Sequence, residues 1–539
     1  MMSNRILPKI FALSLGLSLS LPVLAAAQAQ GTLVYCSEGS PAGFDQAQFT
    51  TGTDFDAAAY TVQNGLVQFK KGSTEVEPAL AESWEISDDG LTYTFHLRKN
   101  VKFGKTSYFT PSRDFNADDV VATFDRLANK DNAFNKAYPV QFPYYTNMEL
   151  DKIIKSVKKV DDNTVEFTLN EPNASLIQSL AMPIGSIYSA EYMQQLLKAN
   201  QAAQINQQPV GTGPFVFQRY QKDAQIRYQA NPDYWDKDNL PEVKRLIFAI
   251  TPDAAVRTQK LLANECHITT DPLPNDVEKF KQKDNLKVLQ EPGFNVAFLY
   301  YNTEKKPFDN VKVRQALDLA INKEEIVKSV YQGLAEVAPN PIPPSQWSFN
   351  KDIKSNPYDP EKAKQLLAEA GLKDGFETTL WALPVQRPYN PNGRLMAEMV
   401  QADWAKIGVK VKIQTYEWGE YVKRAQAGEH DIFMMGWTGD NGDPDNWFSN
   451  LFTCSSVGGG NYSRYCNKDF DPLITKARKE TDQAARSKLY EQAQVLYHEQ
   501  MPASPIATST ISKPMVKALE GFKISPFSSM LFKGVKLDK

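Results

Sequence analysis

The chain has 539 residues, of which 42% are hydrophobic and 23% charged, with a formal net charge of −3. That composition is ordinary for globular protein, with ample material for a large core, and the length predicts roughly two to four domains. There is no basic surplus of the kind nucleic acid requires, and removing a leader that carries Arg5 and Lys9 shifts the balance further, to about −5.

Arg5 and Lys9 precede a fifteen-residue apolar run, IFALSLGLSLSLPVL, and the small-x-small triplet AQA at 27–29 follows. This is the pattern of a secretory signal cut near Ala29, so 1–29 is set aside as a signal peptide. The first cysteine, Cys36, lies past the cut, and no lipid anchor is indicated. No later segment approaches the roughly 18 apolar residues a membrane span requires. An exported, soluble protein with no anchor of its own is expected.

Further along, LTYTFHLRKNVKF alternates Tyr93, Phe95 and Leu97 against polar neighbours, the period-2 signature of a half-buried strand after a DDG turn. NTVEFTLNEP repeats the pattern with Val165, Phe167 and Leu169. Together they predict an antiparallel subdomain between about 61 and 210.

From 358 to 440 the character changes. YDPEKAKQLLAEAG offers Asp359 as N-cap, Pro360 at the first helical position and Gly371 past the last turn. The strand FETTLWAL, the helix NGRLMAEMVQADWAKIG, the strand VKVKIQTY, the helix WGEYVKRAQAG and the strand DIFMMGW follow. Such a β-α-β-α-β run builds parallel sheet, and open parallel sheets bind ligands beyond the carboxyl ends of their strands. Arg387 lies just past the first of these strands and Asp440 just past the third. Both can face one crevice. The strand that separates them in sequence is expected to separate them in space as well, at about 4.8 Å per strand.

MMGWTGDNGDPDNW gathers Asp440, Asp443 and Asp445 between Trp437 and Trp447. Taken alone, this is turn chemistry, and an arginine before proline is ordinarily solvated or structural. Asp443 and Asp445 are read as turn or capping residues. A calcium loop fails on the position of its glycine and the missing distal glutamate. The four histidines, His96, His267, His430 and His498, lack zinc-type spacing and are read as structural or surface residues, so neither a metal nor a cofactor is expected. No nucleophile elbow, HExxH or phosphate loop is present, so no catalytic residue is assigned; an exported peptidase is the alternative from another class.

Four cysteines in an oxidising compartment favour disulfides, with three pairings possible. Cys454 and Cys466 enclose only eleven residues, GGG among them, so a local bridge is the preferred arrangement and leaves Cys36 for Cys266. The long bridge would place the amino terminus and the middle of the chain in one domain.

The stretches TLVYCSEGSPAGFDQAQFTTGT, NADDVVATFDR, GTGPFVFQRYQKD, VRQALDLAINKEEI, WALPVQRPYNPNGR and MMGWTGDNGDPDNWF resemble the dipeptide receptors of bacterial extracytoplasmic solute-binding protein family 5, from about Thr32 to near residue 510. The resemblance implies an α/β, two-lobed periplasmic-binding-protein fold (class II-like) with a hinge and an extra mixed subdomain. Lobe one would comprise 32–62, 208–288 and 508–539, the subdomain 63–207, and lobe two 289–507. The resemblance also implies the same cysteine pairing. It makes Asp440 the partner of a ligand's α-ammonium and Arg387 that of its α-carboxylate, with Thr50, Pro388, Tyr389, Trp437, Thr438 and Gly439 lining the pocket. Tyr389 and Trp437 can equally be core aromatics. The stretches 133–148 and 180–189 depart from the family pattern, which leaves side-chain preference open. The implied partners are a dipeptide and an inner-membrane ABC permease, to a monomeric receptor, with a chemoreceptor or haem-uptake system as a further partner. Related receptors take haem, glutathione, longer peptides or antimicrobial peptides, the alternative cargoes.

Overall fold

The computed structural model describes residues 31–538, so the leader 1–29 lies outside the described residues. Its centre is one long strand, Ala503–Val516, that serves two sheets in succession. Ala503 to Ala507 pair antiparallel with Asn295–Tyr301, and Ala507 to Ser509 pair with Ala335–Val337. From Thr510 onward the same strand pairs with Leu286–Pro292 and, at Met515, with Ile268. A second chain segment makes the same crossing, from Leu286–Pro292 through Gly293 and Phe294 into Asn295–Tyr301. Gly293 donates its N–H to Ser509 O at 2.8 Å, and a Cβ there would fall 2.3 Å from that carbonyl oxygen. Only glycine lets the two crossing strands approach so closely.

The first sheet continues from the long strand through Ile268–Thr269, Thr32–Ser37, Arg245–Ile250, Gln225–Ala230 and Phe215–Gln221. Thr32–Ser37 runs parallel to both Arg245–Ile250 and Ile268–Thr269. Cys36 and Cys266 are fully buried there and paired, with Cα atoms 5.8 Å apart. Cys454 pairs with Cys466, their Cα atoms 4.4 Å apart.

The inserted region carries its own antiparallel sheet in the order Ala81–Ile86, Thr92–Leu97, Thr164–Leu169, Ile154–Asp161. Tyr93, Phe95, Leu97, Val165, Phe167 and Leu169 all face its core, as their alternation predicts. Each such burial is worth roughly 1.5–3 kcal/mol over exposure.

In the second sheet the β-α-β-α-β run forms as read. The Asp359 side chain accepts the Lys362 N–H at 2.9 Å to start helix Pro360–Glu369, and Gly371 takes φ +82° beyond its end. The expected separating strand is a misreading. Glu377–Trp381 pairs directly with Ile432–Thr438, and Lys410–Gln414 lies outside both, in the order Lys410–Gln414, Glu377–Trp381, Ile432–Thr438, Asn295–Tyr301. The reason is burial: Lys410 and Lys412 are exposed and suit an edge, whereas the first five residues of Ile432–Thr438 are fully buried.

Candidate functional site

Two adjacent parallel strands, Glu377–Trp381 and Ile432–Thr438, deliver their carboxyl-end loops to the same side of the sheet. The first loop carries Arg387. Arg387 N donates to Asn390 O and Asn390 N returns to Arg387 O, both at 3.0 Å, closing the RPYN turn. Pro388 O accepts from Ser509 Oγ at 2.6 Å, and Tyr389 O accepts from Tyr331 OH at 2.7 Å. The loop is therefore tied to the residue where the long strand changes sheets. The Tyr389 ring lies on Gly436, where a Cβ would come within 2.2 Å of it. Tyr389 is buried in the core of this half, and burial raises its hydroxyl above the ordinary value despite the Arg387 charge nearby. The Arg387 guanidinium stacks over Trp418, 4.2 Å from the ring centroid. That stacking orients a planar fork suited to a carboxylate.

The second loop carries Asp440. Thr438 pairs with Asn295, and Gly439 donates to Phe294 O at 2.9 Å. A Cβ on Gly439 would lie 2.3 Å from the Phe294 ring. Asn446 then fixes the carboxylate. Its Oδ1 accepts from Asp440 N at 3.0 Å and from Trp437 Nε1 at 3.2 Å, and its Nδ2 donates to Asp440 Oδ2 at 3.3 Å. Tyr144, from the inserted region, donates its hydroxyl to Asp440 Oδ1 at 2.8 Å. Burial and the Asp440 charge push that hydroxyl well above its usual range, so it remains a donor. A carboxylate offers about four acceptor sites, so two stay available. Burial by protein raises the Asp440 carboxyl to about 6, although the residue as a whole stays partly exposed.

Among the described residues, neither Arg387 nor Asp440 takes part in an ion pair. The other two acids of the loop do. Asp443 accepts both terminal nitrogens of Arg486 at 2.8 Å, with both side chains buried, and Asp445 accepts Arg478 Nε at 3.3 Å. The turn part of their reading also holds, since Asp443 Oδ1 accepts the Asp445 N–H, whereas the helix Asp445–Leu451 has Pro444 at its N-cap and no side-chain cap.

Thr50 stands exposed on the segment before helix Gly52–Ala57, with no hydrogen bond to either charged residue among the described ones. From the same side Phe55 places its ring 6.0 Å from that of Tyr144, and the buried Tyr60 lies near enough to Asp440 for its hydroxyl to feel that charge. Tyr144, Asn446, Phe294 and Tyr60 were missed by sequence reasoning. Asn446 sits inside the quoted motif and was open to notice, but Tyr144 falls where the family pattern is lost. The histidines remain scattered; His267 Nδ1 accepts from Val34 N, and His430 Nε2 bonds Tyr462 O, both inside the protein.

Residues 75–459 match the family described as bacterial extracellular solute-binding proteins, family 5. The chain belongs to this family. Among its family-5 relatives, the dipeptide-binding protein of Pseudomonas aeruginosa is 57% identical over 532 residues, 99% of each chain. The heme-binding protein A of Haemophilus influenzae is 49% identical over 514 residues, covering 95% of this chain and 94% of that one. A solved dipeptide-binding protein from Pseudoalteromonas sp. SM9913, in complex with Met-Leu, is 38% identical and superposes with a TM-score of 0.87, covering 94% of this chain and 100% of that one. The fold is thus that of a two-lobed solute-binding protein, and the family is one of receptors.

Proposed function

We propose that this family-5 protein is a periplasmic receptor for dipeptides that delivers them to an ABC-type import permease. The carrying observation is a pair of opposite charges with no protein counter-ion among the described residues. Asp440 is the one acid of its loop with no cation, and Arg387 is held by an aromatic stack with no anion. A dipeptide is a zwitterion with about 7 Å of extended backbone, from roughly 3.3–3.6 Å per residue. Asp440 receives its ammonium and Arg387 its carboxylate, so the spacing of the two charges selects ligand length. Gly439, Thr438, Trp437, Tyr389 and Pro388 form the wall between them. Lobe one (32–62, 208–288, 508–539) brings Thr50 over the ligand from across the cleft. Lobe two (289–507) carries both charges, and the region 63–207 forms the third body. The two crossings at Gly293–Phe294 and Ser509–Thr510 are the hinge.

The heme-binding relative supports haem as a second cargo, but haem has no ammonium for Asp440. The test is calorimetry of the purified protein with dipeptides, followed by recovery of the ligand. Tight binding with the peptide returned intact is expected. Hydrolysis would make the protein a peptidase, and binding of haem without binding of dipeptides would replace the cargo.

A further inference from the structure

Arg478 lies at the end of helix Asp471–Lys479 and joins three parts of the molecule. Its Nε faces both oxygens of Asp445 at 3.3 Å, its Nη2 donates to Ser449 Oγ at 2.7 Å, and its Nη1 donates to Glu149 Oε2 at 3.0 Å. Glu149 belongs to the inserted region, five residues after Tyr144. Next to it, Arg478 O accepts the Ala174 N–H at 3.0 Å, and Lys479 pairs with Glu171 at 2.7 Å, both across the same boundary. The inserted region therefore grips the Asp440 loop twice, by Tyr144 on Asp440 and by Glu149 through Arg478 on Asp445. The Glu149 backbone adopts φ +58°, a left-handed conformation that favours glycine or asparagine, yet the position holds a carboxylate. The other oxygen of Glu149 pairs with Lys152, an exposed neighbour one turn on.

We propose that Arg478 and Glu149 are positioning residues that latch the inserted region onto the Asp440 loop and so set how long a bound peptide is held. The latch rests on the receptor reading for its purpose but not for its existence. When the cleft opens, the Asp445–Arg478 contact stays within one body, whereas Glu149 leaves it. The Arg478 side chain is 15% exposed and that of Glu149 27%, so the pair lies between a solvent-screened bridge and a buried one.

Stopped-flow measurement with an alanyl dipeptide, read by tryptophan fluorescence, tests it. Glu149→Gln is expected to raise the dissociation rate about tenfold and leave the association rate within about twofold. Added salt screens the bridge, so it should speed dissociation from the parent protein more steeply than from the variant, in which only the exposed Lys479–Glu171 pair still spans that boundary. Pure packing damage would not give that salt signature, and an unchanged dissociation rate in Glu149→Gln overturns the latch. If the parent protein binds no dipeptide, the receptor reading fails and the latch is judged without ligand. For that purpose spin labels replace Val160 in the inserted region and Val495 in helix Gln483–Gln500, both exposed. A loss of the closed distance in Glu149→Gln supports the latch, and identical distance distributions with and without the substitution reject it.

Discussion

Asp440 and Asp443 stand three residues apart in one loop, and the structure gives them opposite circumstances. Asp443 is fully buried and clamped by both ends of the Arg486 guanidinium, which itself lies against Trp347 and Tyr490. Asp440 has a tyrosine hydroxyl, an asparagine amide and, among the described residues, no cation. A satisfied buried charge is architecture. Burial raises both carboxyls, but only Asp443 has a counter-ion, and in the proposed reading Asp440 is the seat for one that the ligand brings.

That contrast breaks most visibly at Asp443. Asp443→Ala leaves Arg486 buried and uncompensated, so chemical denaturation should show a loss of about 3–5 kcal/mol of stability. Protein that still folds should keep most of its affinity for a dipeptide. A variant as stable as the parent would mean that the clamp does not hold the loop.

Acidity sharpens the contrast at Asp440. The ligand's ammonium titrates near 7.7–8.0 and its carboxylate near 3.3–3.7, so between about 6 and 4 neither end changes charge. Asp440 does. Its carboxyl sits at about 6 without ligand, and an ammonium requires the ionised form, so affinity is expected to fall roughly tenfold per pH unit below 6. The unliganded fold has the opposite slope. Its Asp440 holds a proton more tightly than the unfolded chain does, with 3.8 as the ordinary value, so this group adds stability as pH falls from about 6 toward 4. Calorimetric affinity and thermal unfolding across that window should move in opposite directions. Affinity independent of pH there contradicts the assignment.

The smallest effect belongs to the other charge. Trp418→Leu removes the ring under Arg387 without touching the guanidinium. A cation–π contact of about 0.5–1 kcal/mol corresponds to a loss of roughly two- to fivefold in affinity. A loss of a hundredfold would place Trp418 itself against the ligand.

Much of this architecture was legible where the signal is local. The cap Asp359, the first-turn Pro360 and the terminal Gly371 bound a helix through their own backbone chemistry, and the alternation at Tyr93, Phe95 and Leu97 reports which face is buried. What failed depends on partners distant in sequence. The order of the second sheet follows from which strand tolerates an edge, a choice made by burial and not by succession along the chain. The long strand ASPIATSTISKPMV is buried on both faces along nearly its whole length, so no period marks it. Tyr144 reaches Asp440 across 296 residues, and nothing in its own neighbourhood announces the contact. The two charges proposed as the ends of the site are readable from motifs, whereas the hydroxyl and amide that hold Asp440 are recognised only in the structure.

The central claim is that Asp440 receives an ammonium, and a cycle of two proteins and two ligands tests it most directly. Calorimetry compares the parent protein and Asp440→Ala, each with a dipeptide and with its amino-acetylated form. Truncating one member of a buried charge pair costs about 2–5 kcal/mol, so the parent should lose roughly 30-fold to several-thousand-fold in affinity when the residue is removed. It should also bind the acetylated ligand far more weakly, while Asp440→Ala discriminates little between the two. The two changes are then strongly non-additive. If Asp440→Ala penalises both ligands equally, the carboxylate does not meet the ammonium and the account of the site is wrong.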